Sequence, residues 1–240
     1  MYKTRLFYFI IFTLFTMQIV AQQSILNNFK LTADDPTRAE RFDRIAIDIK
    51  LDQWLTPPKG IATRAYSIGV SAFLYKDMPL TKKSNIAFAF GIGLSSDNIH
   101  HNGVFTASTS SGHSYTSLTP YNNFKWNINK LTLNYIEVPL EFRFRTMNKS
   151  IEERRKYNFR FYPGFKIGYL MGSHTKLVTD NVKIKVYRVP NTLPYRYGPT
   201  LRIGFNKISF VAFYSLTSIF EDKKGVELNT FSIGVSWLRF

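Results

Sequence analysis

The 240-residue chain contains no cysteine. That absence excludes a disulfide framework, a thiolate metal site, a catalytic Cys and a lipid anchor on an N-terminal Cys. Acidic residues are scarce relative to basic ones, 16 against 32, and the formal charge is +16. Long hydrophobic runs are also missing. Beyond residue 21 the longest is about Ile86 to Leu94, far short of the roughly 20 apolar residues a membrane-spanning helix needs. No comparably long stretch repeats at helical spacing, so a helical membrane bundle is excluded. A membrane barrel stays open, because a strand that alternates lipid-facing and lumen-facing residues hides its hydrophobicity from such a count.

Aromatic residues are plentiful: 22 Phe, 14 Tyr and 3 Trp. They favour strands and, when amphipathic, membrane interfaces. Residues 1–21 have the form of a signal peptide. Lys3 and Arg5 give a positive start, Leu6 to Val20 an apolar stretch, and Ala21 a small residue before the cut. Residues 22–42 are polar and without period, which predicts a flexible N-terminal extension.

From residue 43 the pattern changes to period two. In the first segment, 43–54, Ile45, Ile47, Ile49 and Leu51 alternate with Arg44, Asp48, Lys50 and Asp52. Similar alternation marks 65–75, 85–95, 130–145, 157–173, 195–205 and 227–240, while 208–219 is apolar on both faces. Eight such segments predict an all-β fold, an eight-stranded antiparallel up-and-down transmembrane β-barrel over 43–240. Pro139, Pro163 and Pro199, inside these segments, are expected at bulges or strand ends. Connections at 55–64, 96–129, 174–194 and 220–226 gather at one end, the expected external end. Those at 76–84, 146–156 and the tight turn Asn206-Lys207 gather at the other. Two aromatic girdles are expected, Trp54, Trp126, Tyr195, Tyr197 and Phe220 at the loop end. Tyr75, Phe142, Phe144, Phe159, Phe161, Phe205, Trp237 and Phe240 would form the one at the turn end.

Two stretches resemble a known family. Tyr135-Ile-Glu-Val-Pro-Leu-Glu-Phe-Arg-Phe-Arg145 resembles a strand of the PorT-like outer-membrane β-barrel proteins of bacteroidetes, and Pro163-Gly-Phe-Lys-Ile-Gly-Tyr-Leu-Met-Gly172 resembles the strand that follows it there. The resemblance spans roughly 43–240 and implies a bacterial outer-membrane barrel exported by a Sec-type route. The family's founding member assists a secretion system. At the C-terminus, Phe231, Ile233, Val235 and Trp237 run one residue out of phase with the final Phe240, so either a bulge intervenes or the last residue lies beyond the strand.

The charged faces direct Arg44, Asp48, Lys50, Asp52, Glu137, Glu141, Arg143, Arg145, Arg160, Lys166 and Arg202 into one lumen. An eight-stranded barrel is only wide enough for side chains to fill it, so these groups are expected to form a paired, water-poor plug rather than an ion path. Glu137 and Glu141 have the spacing of an acid/base pair, but Arg143 and Arg145 beside them point to charge compensation. His100, His101, His113 and His174 fall in expected loops without ligand spacing, so no metal and no cofactor is expected. Ser173-His174 is the one Ser/His pair at a strand end, and neighbours on a strand point apart. Lys176, Lys183, Lys185 and Arg188 crowd one loop and could meet the anionic phosphates of outer-membrane lipid; export argues against nucleic acid. The expected role is that of a non-enzymatic outer-membrane barrel with a charged, plugged lumen, a structural or interaction protein working through external loops. The alternative is an accessory subunit of an export or assembly machine (PorT-like secretion), with an envelope protein as partner. A lipid-modifying enzyme and a soluble lipocalin-type barrel are the remaining classes.

Overall fold

A computed structural model describes residues 44–80, 85–110, 113–121, 126–147 and 157–239. The signal, the N-terminal extension and Phe240 lie outside the described residues.

The strands are β1 (Ile45–Trp54), β2 (Ile68–Pro79), β3 (Ile86–His100), β4 (Gly103–Ser110), β5 (His113–Pro120), β6 (Ile128–Met147), β7 (Tyr157–Val178), β8 (Lys183–Tyr187), β9 (Tyr195–Phe205), β10 (Ile208–Ser218) and β11 (Asn229–Arg239). Eight of them form a closed antiparallel barrel in the ring order β1-β2-β3-β6-β7-β9-β10-β11, with β11 returning to β1. These eight are the strands that the alternation predicts. The pairing of β11 with β1 runs in one register from Thr230 to Arg239, so no bulge lies there.

Alternation decides which way each strand faces. On β1, Ile49 is 58% exposed while its neighbour Lys50 is 2% exposed. The same inversion holds around the ring: Ile92, Leu94, Val138, Ile167, Met171, Phe210, Ile233 and Val235 are all exposed, and the charged residues between them are buried. In water this arrangement would be unstable, because apolar surface faces out and ions face in. In a bilayer it is the favourable one. Even β10, apolar on both faces, follows the rule, with Val211 and Phe213 inside and Phe210 outside.

Inward glycines make room for the charges. A Cβ on Gly69 would overlap the Asp52 carboxylate, and one on Gly168 would sit 3.1 Å from Glu137 Cγ. At the two-residue turn Asn206-Lys207, Asn206 takes φ +51°, a left-handed conformation that Asn tolerates better than most residues.

Four expectations are corrected. The 96–129 and 174–194 connections are not structureless. β3 continues to His100, β4 and β5 form a hairpin, and β7 extends to Val178 to pair with β8. Beyond the bilayer the outward face no longer needs to be greasy, so Ser96, Asn98, Thr132 and Asn134 erase the alternation without ending the strand. For the same reason His100 and His174 stand on strands and His113 begins β5. Pro139 and Pro163 sit at neither a register shift nor a strand end, although the pairing skips Pro139 on its β3 side and Pro163 on its β6 side, while Pro199 sits where the β9–β10 pairing stops. Finally, Trp54, Phe220 and Tyr75 face inward and are buried, so the girdles lose them. The lipid-facing rings include Tyr195, Tyr197 and the unforeseen Tyr66 and Tyr169 at the loop end, with Phe142, Phe144, Phe159, Phe161, Phe205 and Trp237 at the turn end.

Mid-strand outward positions should punish charge. Ile49→Arg is expected to cost about 2–4 kcal/mol, read as a lowered urea midpoint for the protein unfolding from lipid vesicles; a change below half of that would contradict the lipid-facing placement.

Candidate functional site

All eleven sequence-chosen lumen residues are buried and inward: Arg44, Asp48, Lys50, Asp52, Glu137, Glu141, Arg143, Arg145, Arg160, Lys166 and Arg202. The structure adds Asp77, Asp97 and Arg196, also buried. Their signal was present, since Asp77 and Asp97 continue the inward parity of Tyr75 and Ser95. Both fall past the point where the outward face turns polar.

The charges come in tiers. Near the turn end, Asp77 on β2 takes Arg143 Nη1 at 3.1 Å and Arg145 Nη2 at 2.6 Å from β6. Arg143 also reaches Glu141 at 2.9 Å and lies over the rings of Tyr75 and Tyr162 at 4.5 and 5.2 Å. In the middle, Arg202 on β9 bridges Glu141 at 2.8 Å and Asp48 on β1 at 3.1 Å, while the Tyr75 hydroxyl donates to Glu141 at 2.8 Å. Above them, Glu137 accepts from Lys166 at 3.0 Å and pairs with Arg196 at 2.8 Å. Asp97 in turn pairs with Arg196 and with Lys50, the latter at 3.1 Å. Ser232 donates to Asp52 at 2.6 Å. Arg196 stacks on Tyr135 at 3.7 Å and Lys166 sits over Phe213 at 3.9 Å. These contacts link β1, β2, β3, β6, β7, β9, β10 and β11 across the lumen. The cavity among Asp48, Tyr75, Glu141, Lys166 and Arg202 holds about 20 Å³, room for about one water.

Above the ions lies a second, apolar layer. Trp54, Ile61, Ile99, Leu118, Leu131, Leu133, Tyr135, Val189, Ile219, Phe220 and Leu228 form one buried cluster. They come from barrel strands and from four connections folded inward, which are tied by Thr63–His101, Thr116–Gly225 and Thr192–Phe220 bridges. This layer is why Trp54 and Phe220 leave the girdle. His101 is embedded in it, 5.1 Å from the Trp54 ring and 5.3 Å from Phe105. Gly103 N–H donates to its Nδ1 at 3.2 Å, so the neutral ring keeps its proton on Nε2. Burial pulls the His101 imidazole down to about 4.

The remaining candidates separate. Glu137 and Glu141 are each saturated by cations. Ser173 is buried and accepts from Val189 N–H at 2.9 Å, while His174 turns outward to the Tyr187 ring at 5.7 Å. His100 faces Tyr66 at 4.9 Å. Among the described residues no three potential metal-ligating side chains gather. Of the lysines chosen for lipid, Lys176 and Lys185 stand directly opposite each other across β7 and β8, Lys183 opposes Val178, and Arg188 follows β8 with φ +55°.

Lipid-facing apolar strands around a charged interior also carry the sequence signature of a known family, the outer membrane protein beta-barrel domain, whose model matches residues 46–221. The chain belongs to that family. It is an outer-membrane β-barrel; the match takes in seven of the eight barrel strands and leaves out β11. No curated protein matches the chain.

Two outcomes follow. Glu137→Leu leaves the buried Lys166 without its ion-pair partner, while Arg196 keeps Asp97, and should cost about 3–5 kcal/mol; Glu221→Gln, in an exposed pair with Lys224, should change stability by less than about 1 kcal/mol. Equal losses in vesicle unfolding would refute the distinction. His101 is harder to protonate folded than unfolded. Its contribution to the apolar layer is therefore complete above about pH 6.5 and lost as pH falls towards 4, about 3 kcal/mol in all. Near-ultraviolet circular dichroism of the Trp54 environment should fade over that window in the native chain and stay level in His101→Leu.

Proposed function

We propose that this barrel is a non-enzymatic outer-membrane protein with a plugged lumen, and that it works as a structural or interaction protein through its long connections. What carries the reading is the joint occupation of the lumen. Ion pairs link opposite walls, the cavity among Asp48, Tyr75, Glu141, Lys166 and Arg202 holds about one water, and an apolar layer lies over the loop end. A conducting pore needs a continuous file of water, and a charge leaving this network would abandon a buried partner at a cost of several kcal/mol. The glutamates that would serve acid/base chemistry are locked in the same pairs.

In this reading the loop end faces outward and the chain reaches the envelope by Sec-type export. The connections are ordered elements, including a hairpin and the short edge strand β8, whose residues are all exposed. An edge strand can accept a strand from a partner. The narrower assignment, an accessory of a PorT-like export machine, draws on the motifs at Tyr135–Arg145 and Pro163–Gly172. Affinity purification of the full chain from solubilised envelopes tests it: a stable complex with export components supports the accessory role, and a lone barrel supports the structural one.

Planar-bilayer recording tests the plug. The purified protein should give no sustained conductance steps, whereas a steady open level in symmetric salt would overturn the reading.

A further inference from the structure

Three lysines stand in one row on the outer wall. Lys130 on β6 is registered opposite Lys176 on β7, and Lys176 opposite Lys185 on β8. His100 on β3 extends the row beside Lys130. Leu131, Leu133, Ile99 and Ser173 between them point inward, so the row faces out. Like charges directly opposite each other on a sheet destabilise it, and here three occur side by side. Lys130 Nζ donates to the neutral Asn98 at 2.7 Å. Among the described residues none of the ion pairs includes Lys130, Lys176 or Lys185, and the charges acting on Lys130 and His174 are these lysines. Asp180, at the nearby hairpin tip, accepts from Asn127.

Below the row the wall changes character step by step. The next tier is Asn98, Thr132, His174 and Tyr187, in register across four strands. Then comes an outward groove of about 500 Å³, lined by Val70, Ala72, Leu94, Asn134, Met171 and Gly172. A Cβ on Gly172 would meet nothing within 4 Å, so the missing side chain leaves the groove open. Ile136, opposite Tyr169 of the aromatic girdle, is six residues from Lys130, roughly 20 Å along the strand and, at the usual strand tilt, about 15 Å along the bilayer normal. That exceeds the depth of a phospholipid headgroup layer, about 5–8 Å per leaflet.

We infer that this strip binds a phosphorylated glycolipid of the outer leaflet. An acyl chain lies in the groove, the sugars lie against Asn98, His174 and Tyr187, and a phosphate is held by Lys130, Lys176 and Lys185. The height of the lysine row selects a sugar headgroup over a glycerol one, and the uncompensated charge selects phosphate. Leaflet assignment rests on the outward loop orientation proposed above; the binding chemistry does not.

The test uses full-length protein in neutral detergent with native mass spectrometry. The probes are a phosphorylated disaccharide glycolipid, its dephosphorylated form, phosphatidylglycerol and inorganic phosphate. The phosphorylated glycolipid should bind best. Lys130→Gln/Lys176→Gln/Lys185→Gln should weaken it roughly a hundredfold, dephosphorylation should weaken it comparably, and Lys223→Gln should leave it unchanged. Gly172→Leu, which fills the groove, should weaken the lipid as well. Heat-shifted electrophoretic mobility checks that each variant is folded. Equal binding by the triple variant, by phosphatidylglycerol or by free phosphate would overturn the inference. Surface labelling of the loops on whole cells separately tests orientation, so the two failures are distinguishable.

Discussion

The structure depends on one constraint: charges buried inside an eight-stranded ring must be paired there. Such a lumen is about as wide as the side chains that fill it, so each ion must find its counter-ion on another wall. Arg202 shows the consequence. From β9 it holds Glu141 on β6 and Asp48 on β1, and through them it ties together strands far apart in sequence. A shift of β1, β6 or β9 by one residue would turn its charges into lipid and its aliphatic residues into the ions. The network therefore enforces the register as much as it profits from it.

The apolar layer above the ions extends the same logic. Low-dielectric surroundings strengthen paired charges and penalise unpaired ones. Beneath the connections that fold over the mouth, the uppermost pair members Asp97 and Arg196 are buried. To fold that way the connections need an apolar core of their own, and Trp54, Phe105, Leu118 and Phe220 supply it. His101 sits inside that core in its neutral form, with Nδ1 accepting from the Gly103 backbone.

The outer wall is organised by solvent, not by pairing. Its middle is aliphatic, its rims aromatic, and beyond the loop-end rim the strands continue with polar and basic faces. That continuation places Lys130, Lys176 and Lys185 side by side on the outer wall.

The eight strands were legible from the sequence alone, because lipid outside and ions inside force strict alternation. The lumen residues from Arg44 to Arg202 were legible for the same reason. Alternation fails where both faces become polar or both become apolar. That is why Asp97 passed for a loop residue, Trp54 and Phe220 for girdle aromatics, and Lys130 for an ordinary strand position. The sequence thus determined which side chains face in and which face out. Only the tertiary structure decided which ions meet, that the connections fold over the mouth, and that three lysines share a row. Those outcomes depend on strand stagger and on contacts between segments remote along the chain, which periodicity does not encode.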